Sequence, residues 1–279
     1  MSSPFGQTSH WLAVARAVES DRADALFIDP YAKVLAGSTK DELHQFFHEH
    51  ARPGAEFMFL SAVSIRTKYY DNELLNAMHD GVRQFVILGA GMDTRAFRLP
   101  FRSDCTVWEL DLPEVFDEKE PKLKELAGHA FCKRRVVPVD LREDWTDTLC
   151  RAGFDSSRSA VFIAEGFLVY LSETDVDQLM RRLATVSTAD TRLFFDVLST
   201  EVLEFARMQQ LRDLLDSVGV PWKFTTRNPE AFFERYGWTA HVTIPGDPEA
   251  HFNRWPFPHL SRSVPGIPRI YLCVATPAV

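Results

Sequence analysis

Acidic side chains stand at the ends of three successive apolar runs in this sequence. Glu109 and Asp111 end the first of them, Asp140 ends the next, and Glu165 follows the third. Carboxylates accept hydrogen bonds from hydroxyl and amino groups and bind cationic groups strongly. If the runs are neighbouring strands of one parallel sheet, their carboxyl ends meet at a single crevice. The acids therefore predict a binding site for a ligand that is rich in donors or carries positive charge.

A turn that contains glycine precedes these acids. The stretch QFVILGAGMD, residues 84–93, runs from a buried-strand pattern into Gly89, Ala90 and Gly91. Glycine lets the backbone turn sharply and approach a ligand closely. A nucleotide or nucleoside site at the end of the first strand is therefore favoured.

The candidate ligands for this crevice are two nucleoside cofactors, NAD and S-adenosylmethionine. NAD requires G-x-G-x-x-G/A, but Thr94 stands at the third small position and Asp93 would oppose a pyrophosphate there. Neither Tyr69 nor Tyr70 is followed four residues later by the lysine of a Tyr-x-x-x-Lys pair. S-adenosylmethionine offers ribose hydroxyls, an adenine amino group, an ammonium and a sulfonium, all of which suit carboxylates. The sequence therefore favours S-adenosylmethionine over NAD.

Alternating strand and helix patterns determine where these residues lie. Five apolar runs alternate with helical stretches such as 112–127 and 173–186, which predicts a doubly wound parallel sheet. Two later runs are separated only by a helix-poor segment, which favours an antiparallel pair at one edge. The prediction is an α/β fold with a mostly parallel, Rossmann-like sheet of seven strands. The runs are 84–89, 106–111, 134–140, 159–166, 192–198, 238–244 and 269–276.

The helical patterns also predict how the chain is divided. Residues 1–82 are expected to form a helical N-terminal cover and lid, including a short helix within 30–37 that begins at a proline and ends at a glycine. Residues 83–279 are expected to form the cofactor-binding core. Insertions around 200–225 and 245–266 are expected to cover the substrate.

Composition narrows the class of protein. The chain of 279 residues is 46% hydrophobic and has a net charge of −8, which supports a sizeable core and argues against nucleic-acid or membrane partners. The four cysteines are scattered without a C-x-x-C pair, which predicts no metal site and suits a reducing cytoplasm. No secretory signal pattern and no apolar run of about 20 residues is apparent. The oligomeric state is not indicated.

Five blocks resemble the leucine carboxyl methyltransferase family, a branch of the class I S-adenosylmethionine-dependent methyltransferases. The resemblance covers roughly residues 8 to 200, and the blocks occur in the family's order. They are SIRTKYYDNEL, LGAGMDTRAFRL, ELDLP, VDLR and AEGFLVYL. The bacterial branch resembled here includes polyketide carboxyl O-methyltransferases of the tetracenomycin type. The resemblance implies the methyltransferase fold, S-adenosylmethionine as cofactor and methyl transfer to oxygen.

The resemblance also implies cofactor-binding roles. Arg66 matches the arginine that pairs with the cofactor's carboxylate, although a helical arginine is ordinarily a solvated charge or a salt-bridge partner. Glu165 matches the acid near the α-ammonium group. Gly89 matches the glycine of the first loop, with Ala90 and Gly91 beside it.

Further matches concern the nucleoside half of the cofactor. Asp111 matches the acid that binds the ribose, and Asp140 and Leu141 match the pair around the adenine. Capping of the following helices is the alternative role for both aspartates. Glu109 is expected to be either a second ribose acceptor or the partner of an arginine.

One N-terminal position departs from the family. Eukaryotic members have a lysine near the start that helps to hold the cofactor, whereas this chain has no lysine before Lys33. Thr8 and His10 lie nearest to the expected place.

Aromatic and apolar residues suggest the nature of the methyl acceptor. The candidate pocket residues are Tyr170, Phe205, Met208, Trp222 and Trp255. Such residues suit a small aromatic or polyketide-like molecule. No convincing general base is evident, and a carboxylate needs none because it is ionised at neutral pH. The expected function is O-methylation of a carboxylate, or of a hydroxyl, on a small-molecule acceptor.

Three other functions stay open from the sequence. The acceptor could be a protein C-terminus, as the family resemblance allows. A NAD-dependent dehydrogenase and a nucleoside-binding scaffold without activity are less favoured. Titration with S-adenosylmethionine, S-adenosylhomocysteine and NAD distinguishes the cofactor classes.

Overall fold

The computed structural model describes residues 4–37, 39–50, 54–126, 128–217 and 219–278. The strands in these ranges are β1 Gln84–Leu88, β2 Thr106–Asp111, β3 Lys133–Pro138, β4 Ala160–Ala164, β5 Arg192–Leu198, β6 Trp238–Thr243 and β7 Ile270–Pro277. The helices are α1 Pro4–Ser20, α2 Ala32–Ala36, α3 Thr39–His50, α4 Ala55–His79, α5 Arg95–Arg98, α6 Pro113–Glu125, α7 Thr146–Arg151, α8 Glu173–Thr185, α9 Glu201–Glu204, α10 Gln209–Ser217 and α11 Pro229–Glu234.

The strands form one seven-stranded sheet in the order β3-β2-β1-β4-β5-β7-β6. Strands β1 to β5 are parallel, and β7 runs antiparallel to both of its neighbours, β5 and β6. The predicted α/β class, the doubly wound sheet and the antiparallel edge pair are therefore confirmed. Strand β6 forms one edge of the sheet, and the chain then turns back so that β7 lies between β5 and β6.

Local sequence signals account for several element boundaries. Helix α2 ends at Gly37, whose φ of 60° suits glycine, as predicted for the 30–37 segment. Helix α6 begins at Pro113, where a missing N–H costs nothing. Helix α8 begins with a capping box in which Ser172 and Asp175 satisfy each other's backbone N–H groups.

Alternating side chains of the strands pack into two cores, one on each face of the sheet. Phe85 and Ile87 of β1 join the core that α1 and α4 cover, whereas Val86 and Leu88 join the core under α7, α8 and α11. The N-terminal helices therefore share a continuous apolar core with the sheet. The division at residue 82 and the lid role of the insertions stay predictions.

Two features outside the sheet bear on the sequence interpretation. Between β6 and β7 the only regular helical element in the described residues is the 3-10 turn Pro248–Ala250, in accord with the helix-poor prediction. Among the described helices, none has the length and hydropathy that a membrane span requires.

Candidate active site

A cleft opens at the carboxyl ends of β1 to β4, under the N-terminal helix α1. The sheet register explains its floor, because Leu88 lies opposite Leu110, so that Gly89 and Asp111 follow side by side. Eight residues predicted for the cofactor or substrate line this cleft. They are Gly89, Ala90, Gly91, Asp111, Asp140, Leu141, Glu165 and Tyr170.

The turn after β1 requires glycine at its first position. Gly89 has a φ of 66°, and its N–H donates to the Leu110 carbonyl oxygen at 2.9 Å. A Cβ atom at this position would lie 2.5 Å from Cδ2 of Phe167. Backbone conformation and close approach therefore both exclude a larger residue here.

Asp111 faces the cleft while it holds the glycine turn. Its Oδ2 accepts from the Gly91 N–H at 2.6 Å, and its Oδ1 accepts from the Leu112 N–H at 2.7 Å. Burial raises the pKa of its carboxyl group even against these two hydrogen bonds. No salt bridge engages Asp111 within the described residues, so its remaining lone pairs are available to a ligand that donates hydrogen bonds.

Glu109 is turned away from the cleft lining. Its carboxylate is fully buried and accepts from Lys119 Nζ at 2.7 Å and from Arg134 Nε at 2.7 Å. Burial alone would raise the pKa of this carboxyl group, but the two cations lower it. Of the two predicted roles, the structure supports the arginine partner rather than the ribose acceptor.

Arg66 does not itself line the cleft but lies directly behind it. Its Nε donates to Glu165 Oε1 at 3.0 Å and its Nη1 to Asp196 Oδ2 at 2.9 Å. The third nitrogen, Nη2, is buried and has no hydrogen-bond partner in the described residues. A Cβ on the cleft residue Gly166 would come within 3.1 Å of this Nη2. A buried donor beside a bare glycine fits the carboxylate of an amino-acid ligand.

Glu165 is held between three donors. It accepts from Arg66, from Thr67 Oγ1 at 3.3 Å and from Arg95 Nη2 at 2.5 Å. Burial opposes ionisation, but Arg95 and Arg66 outweigh it and lower the pKa of this carboxyl group to about 2. Glu165 is therefore an anion near neutral pH, as a partner for an ammonium group must be.

The sequence interpretation missed Arg95, which lies at the centre of the buried charges. Its Nε donates to Asp71 at 2.8 Å, its Nη1 donates to Asp93, and its Nη2 donates to Glu165. The side chain is almost completely buried, and Arg98 one turn later also donates to Asp71. The two arginines that follow Asp93 in the block MDTRAFR were the available signal.

Asp196 on β5 was missed as well. Its Oδ1 accepts from the Gly166 N–H at 2.6 Å, and its Oδ2 accepts from Arg66. It therefore fixes both the turn after β4 and the direction of the arginine. A charged residue in the apolar run RLFFDVL was the signal that could have found it.

Asp140 and its neighbours form the far end of the cleft. Arg142 Nη2 donates to Asp140 Oδ2 at 2.5 Å, and the Arg142 N–H donates to Oδ1 at 2.9 Å. Asp140, Leu141 and Arg142 all line the cleft. Since Asp140 is partly exposed, its carboxylate is accessible to a donor on a ligand.

The N-terminal helix α1 supplies one wall of the cleft. Thr8 and Ser9 line it, whereas His10 points to Glu118, with 2.8 Å between His10 Nε2 and a carboxylate oxygen. Of the two residues nearest the family's lysine position, Thr8 is the one at the cleft. Arg16 anchors this helix by donating to the Met92 carbonyl oxygen at 2.5 Å.

The predicted acceptor residues are dispersed. Tyr170 lines the cleft, and its hydroxyl group shares hydrogen bonds with Thr8 and the Trp222 indole. Phe205, Met208 and Trp222 are not among the cleft residues, and Trp222 lines a separate pocket beside Leu203 and Arg212. Trp255 is also absent from the lining and packs against Gly246, where a Cβ would lie 2.6 Å from its ring. Amino-acid composition identifies apolar residues but does not specify whether the packed chain places them at the cleft.

Two solved structures share this fold over most of their length. A protein from Thermobifida fusca that is named as a methyltransferase superposes with a TM-score of 0.58 at 19% identity, over 89% of this chain and 93% of that one. A DUF574 family protein from Streptomyces avermitilis gives a TM-score of 0.60 at 14% identity, over 96% and 97% of the two chains. At these identities the similarity shows the fold alone, which is the Rossmann-like α/β fold with a mostly parallel seven-stranded sheet.

The sequence relatives identify the family. A protein from Mycobacterium avium, named as an S-adenosyl-L-methionine-dependent methyltransferase, is 33% identical over 282 residues, which cover 91% of this chain and 90% of that protein. One from Mycobacterium tuberculosis with the same description is 34% identical over 258 residues, or 87% and 79% of the two chains. The family model for leucine carboxyl methyltransferase matches residues 9–184. The chain therefore belongs to the leucine carboxyl methyltransferase family, and it is a methyltransferase that uses S-adenosylmethionine.

Proposed function

We propose that the protein transfers the methyl group of S-adenosylmethionine to an oxygen of a small aromatic or polyketide-like acid. The acceptor atom is a carboxylate oxygen in the preferred form of this proposal and a hydroxyl oxygen in the other. The fold, the family and the acidic cleft support methyl transfer. The acceptor class rests on the chemistry of the cleft.

Roles for the cleft residues follow from their positions and charges. Asp111 accepts from the ribose hydroxyls, and Asp140 accepts from the adenine amino group beside Leu141. Arg66 Nη2 binds the cofactor's carboxylate, and Glu165 neutralises its ammonium group. The turn Gly89–Gly91 lets the backbone approach the ligand.

The bound cofactor supplies a methyl group that its sulfonium already makes electrophilic. The main task of the protein is then to align the acceptor oxygen with that methyl group. Phe167, Tyr170 and helix α1 line the cleft, and displacement of water from it by the bound cofactor and acceptor would strengthen the fixed charges around it.

One observation carries the choice of an acidic acceptor: no histidine lines the cleft in the part of the chain that the structure describes. The pKa values of three lining carboxyl groups, those of Asp93, Asp140 and Glu165, are lowered below their usual range. Burial raises the pKa of a fourth, Asp111, but this carboxylate is the one assigned to the ribose hydroxyls. Burial opposes the lowering at Asp93 and Glu165, and the neighbouring arginines overcome it. At Asp140 the hydrogen bond from Arg142 is the main cause. Carboxylates with such low pKa values are poor general bases, so an acceptor that ionises by itself is favoured.

A protein C-terminus is the second candidate acceptor. The description of the matching family, leucine carboxyl methyltransferase, favours it. Both candidates are carboxylates, so pH dependence cannot separate them. Comparison of 2-naphthoate with a short peptide that ends in leucine, each with S-adenosylmethionine, distinguishes the two by which one is methylated.

The pH dependence of turnover tests the acidic acceptor. With 2-naphthoate, we expect kcat to vary by less than about twofold between roughly pH 6 and 9, because the carboxylate is ionised throughout. The phenol 2-naphthol is the matched acceptor and should react much more slowly at neutral pH. A rising limb near pH 6.5 that a histidine substitution abolishes would identify an enzymic base and contradict the proposal.

Arg66→Ala tests the contact with the cofactor's carboxylate. We expect the Kd for S-adenosylhomocysteine to rise about 10- to 150-fold, which corresponds to the ~1.5–3 kcal/mol of a hydrogen bond to a charged group. The Kd for 5′-methylthioadenosine, which lacks the amino-acid part, should stay unchanged. Both are measured by isothermal titration, and Arg66→Lys should recover part of the loss.

Lys68→Ala on the same helix is the control for this experiment. Equal weakening of both ligands in Arg66→Ala would mean that the substitution damages the fold around Glu165 and Asp196. Arg66 would then be a structural ion-pair partner only.

A further inference from the structure

Lys223 lies at the cleft on a segment that is fixed to the turn after β4. Its N–H donates to the Val169 carbonyl oxygen at 2.7 Å, and the Phe224 N–H donates to the same oxygen at 3.2 Å. Val169 belongs to the 3-10 turn Leu168–Tyr170, whose last residue is Tyr170. The backbone of Lys223 is therefore held beside Tyr170, and its side chain is both exposed and part of the cleft lining.

The other cations of the cleft lining already have anionic partners. Arg16 donates to Asp29, Arg95 to Glu165 and Arg142 to Asp140. Lys223 forms no salt bridge or side-chain hydrogen bond with any side chain that the structure describes. Among the cations that line the cleft in the described residues, Lys223 is therefore the one that can bind an anionic ligand without breaking a salt bridge.

The surroundings of Lys223 differ from those of Arg66, the residue proposed to bind the carboxylate of the cofactor. Arg66 lies buried behind Gly166, whereas Lys223 stands at the surface, next in sequence to Trp222. The Trp222 indole hydrogen-bonds with the Tyr170 hydroxyl group, and Phe167 and Leu171 also line the cleft. A cation beside aromatic and apolar side chains suits a flat organic anion.

We infer that Lys223 binds the acidic group of the methyl acceptor and makes the enzyme selective for anionic acceptors. This inference rests on the proposed function and adds the residue that recognises the acceptor. Lysine is suited to the role because its ammonium is a compact charge on a flexible stem that follows the ligand. Methylation neutralises the carboxylate, so the ester product no longer has this attraction and leaves more readily.

The experiment measures binding of 2-naphthoate to the protein saturated with S-adenosylhomocysteine, by isothermal titration. The neutral isostere 2-naphthamide is the matched ligand. In wild type, naphthoate should bind at least tenfold more tightly than naphthamide. In Lys223→Met the Kd for naphthoate should rise about tenfold, with the Kd for naphthamide and for S-adenosylhomocysteine unchanged.

Two control variants distinguish the positive charge of Lys223 in the cleft from a positive charge elsewhere on the surface. Lys223→Arg should retain most of the preference for the anion, and Lys33→Met, at an exposed position on α2, should behave as wild type. The preference in wild type should also shrink as salt increases, since an exposed pair is screened.

The inference is overturned if Lys223→Met binds naphthoate as wild type does. It is also overturned if wild type binds both ligands equally, because a cation that receives the acceptor must discriminate between them. Methyl transfer to naphthoate, assayed in parallel, then reports separately on the proposed function. Transfer without discrimination would preserve the function and remove the role of Lys223.

Discussion

Replacing Asp111 with alanine is expected to weaken binding of S-adenosylhomocysteine by about 10²- to 10⁴-fold. Two hydrogen bonds from ribose hydroxyls to a carboxylate would be lost, at ~1.5–3 kcal/mol each, and every 1.4 kcal/mol is about tenfold. The structure supports this role because Asp111 faces the cleft without a salt bridge in the described residues. Folding should be retained, since the Gly91 and Leu112 N–H groups lie beside the cleft and can be hydrated.

Isothermal titration and thermal unfolding together test this expectation. Because 5′-methylthioadenosine also contains the ribose, it should lose affinity as S-adenosylhomocysteine does, unlike the pattern expected for Arg66→Ala. Asp117→Ala, at an exposed position on α6, is the control. A large fall in Tm together with normal affinity of the folded fraction would make Asp111 a support of the glycine turn and nothing more.

Arg95→Met is expected to destabilise the protein by about 3–5 kcal/mol, as is usual when one member of a buried ion pair is removed. Asp71, Asp93 and Glu165 would lose their shared partner in an interior that hardly hydrates them. The free energy of unfolding in urea at pH 7 is the measurement. Arg102→Met, which removes an exposed arginine paired with Asp104, should change it by less than about 1 kcal/mol.

Arg95→Met should also change how the free energy of unfolding depends on pH in the acidic range. In wild type the folded-state pKa of Glu165 is about 2, below the unfolded value, so its stabilising contribution is present at neutral pH and is lost as pH falls towards 2. Without Arg95 the folded-state pKa rises, and this contribution is lost at higher pH. Unchanged unfolding free energy at pH 7 and at pH 5 would contradict the central role of Arg95.

The sequence predicted the sheet and the gathering of acidic residues at one cleft because both depend on local patterns. Apolar runs locate strands, and parallel neighbours bring their carboxyl ends together, so Asp111, Asp140 and Glu165 could be assigned to one crevice. Glu109 shows the limit of this reasoning. It shares a strand face with Asp111, but its environment depends on Lys119 and Arg134, which helix packing brings to it.

The sequence patterns could not predict ion pairs between residues that are far apart along the chain. Arg66 meets Asp196 across 130 positions of the chain, and nothing local to either residue specifies the other. The residues predicted for the acceptor depend still more on how the loops pack: Tyr170 lines the cleft, but Phe205, Met208, Trp222 and Trp255 do not. Propensity and periodicity predict the secondary-structure elements, whereas contacts between loops depend on how the entire chain packs.

The position of β7 between β5 and β6 has a consequence for biosynthesis. The ribosome delivers residues in order, so β5 and β6 are both made before the strand that joins them. Until residues 270–277 emerge, β5 is an open edge with unpaired N–H and C=O groups, and β6 has no partner in the sheet. The sheet is therefore completed only after β7 has emerged, and until then the nascent chain exposes an unpaired strand edge that is open to aggregation and that chaperones can cover.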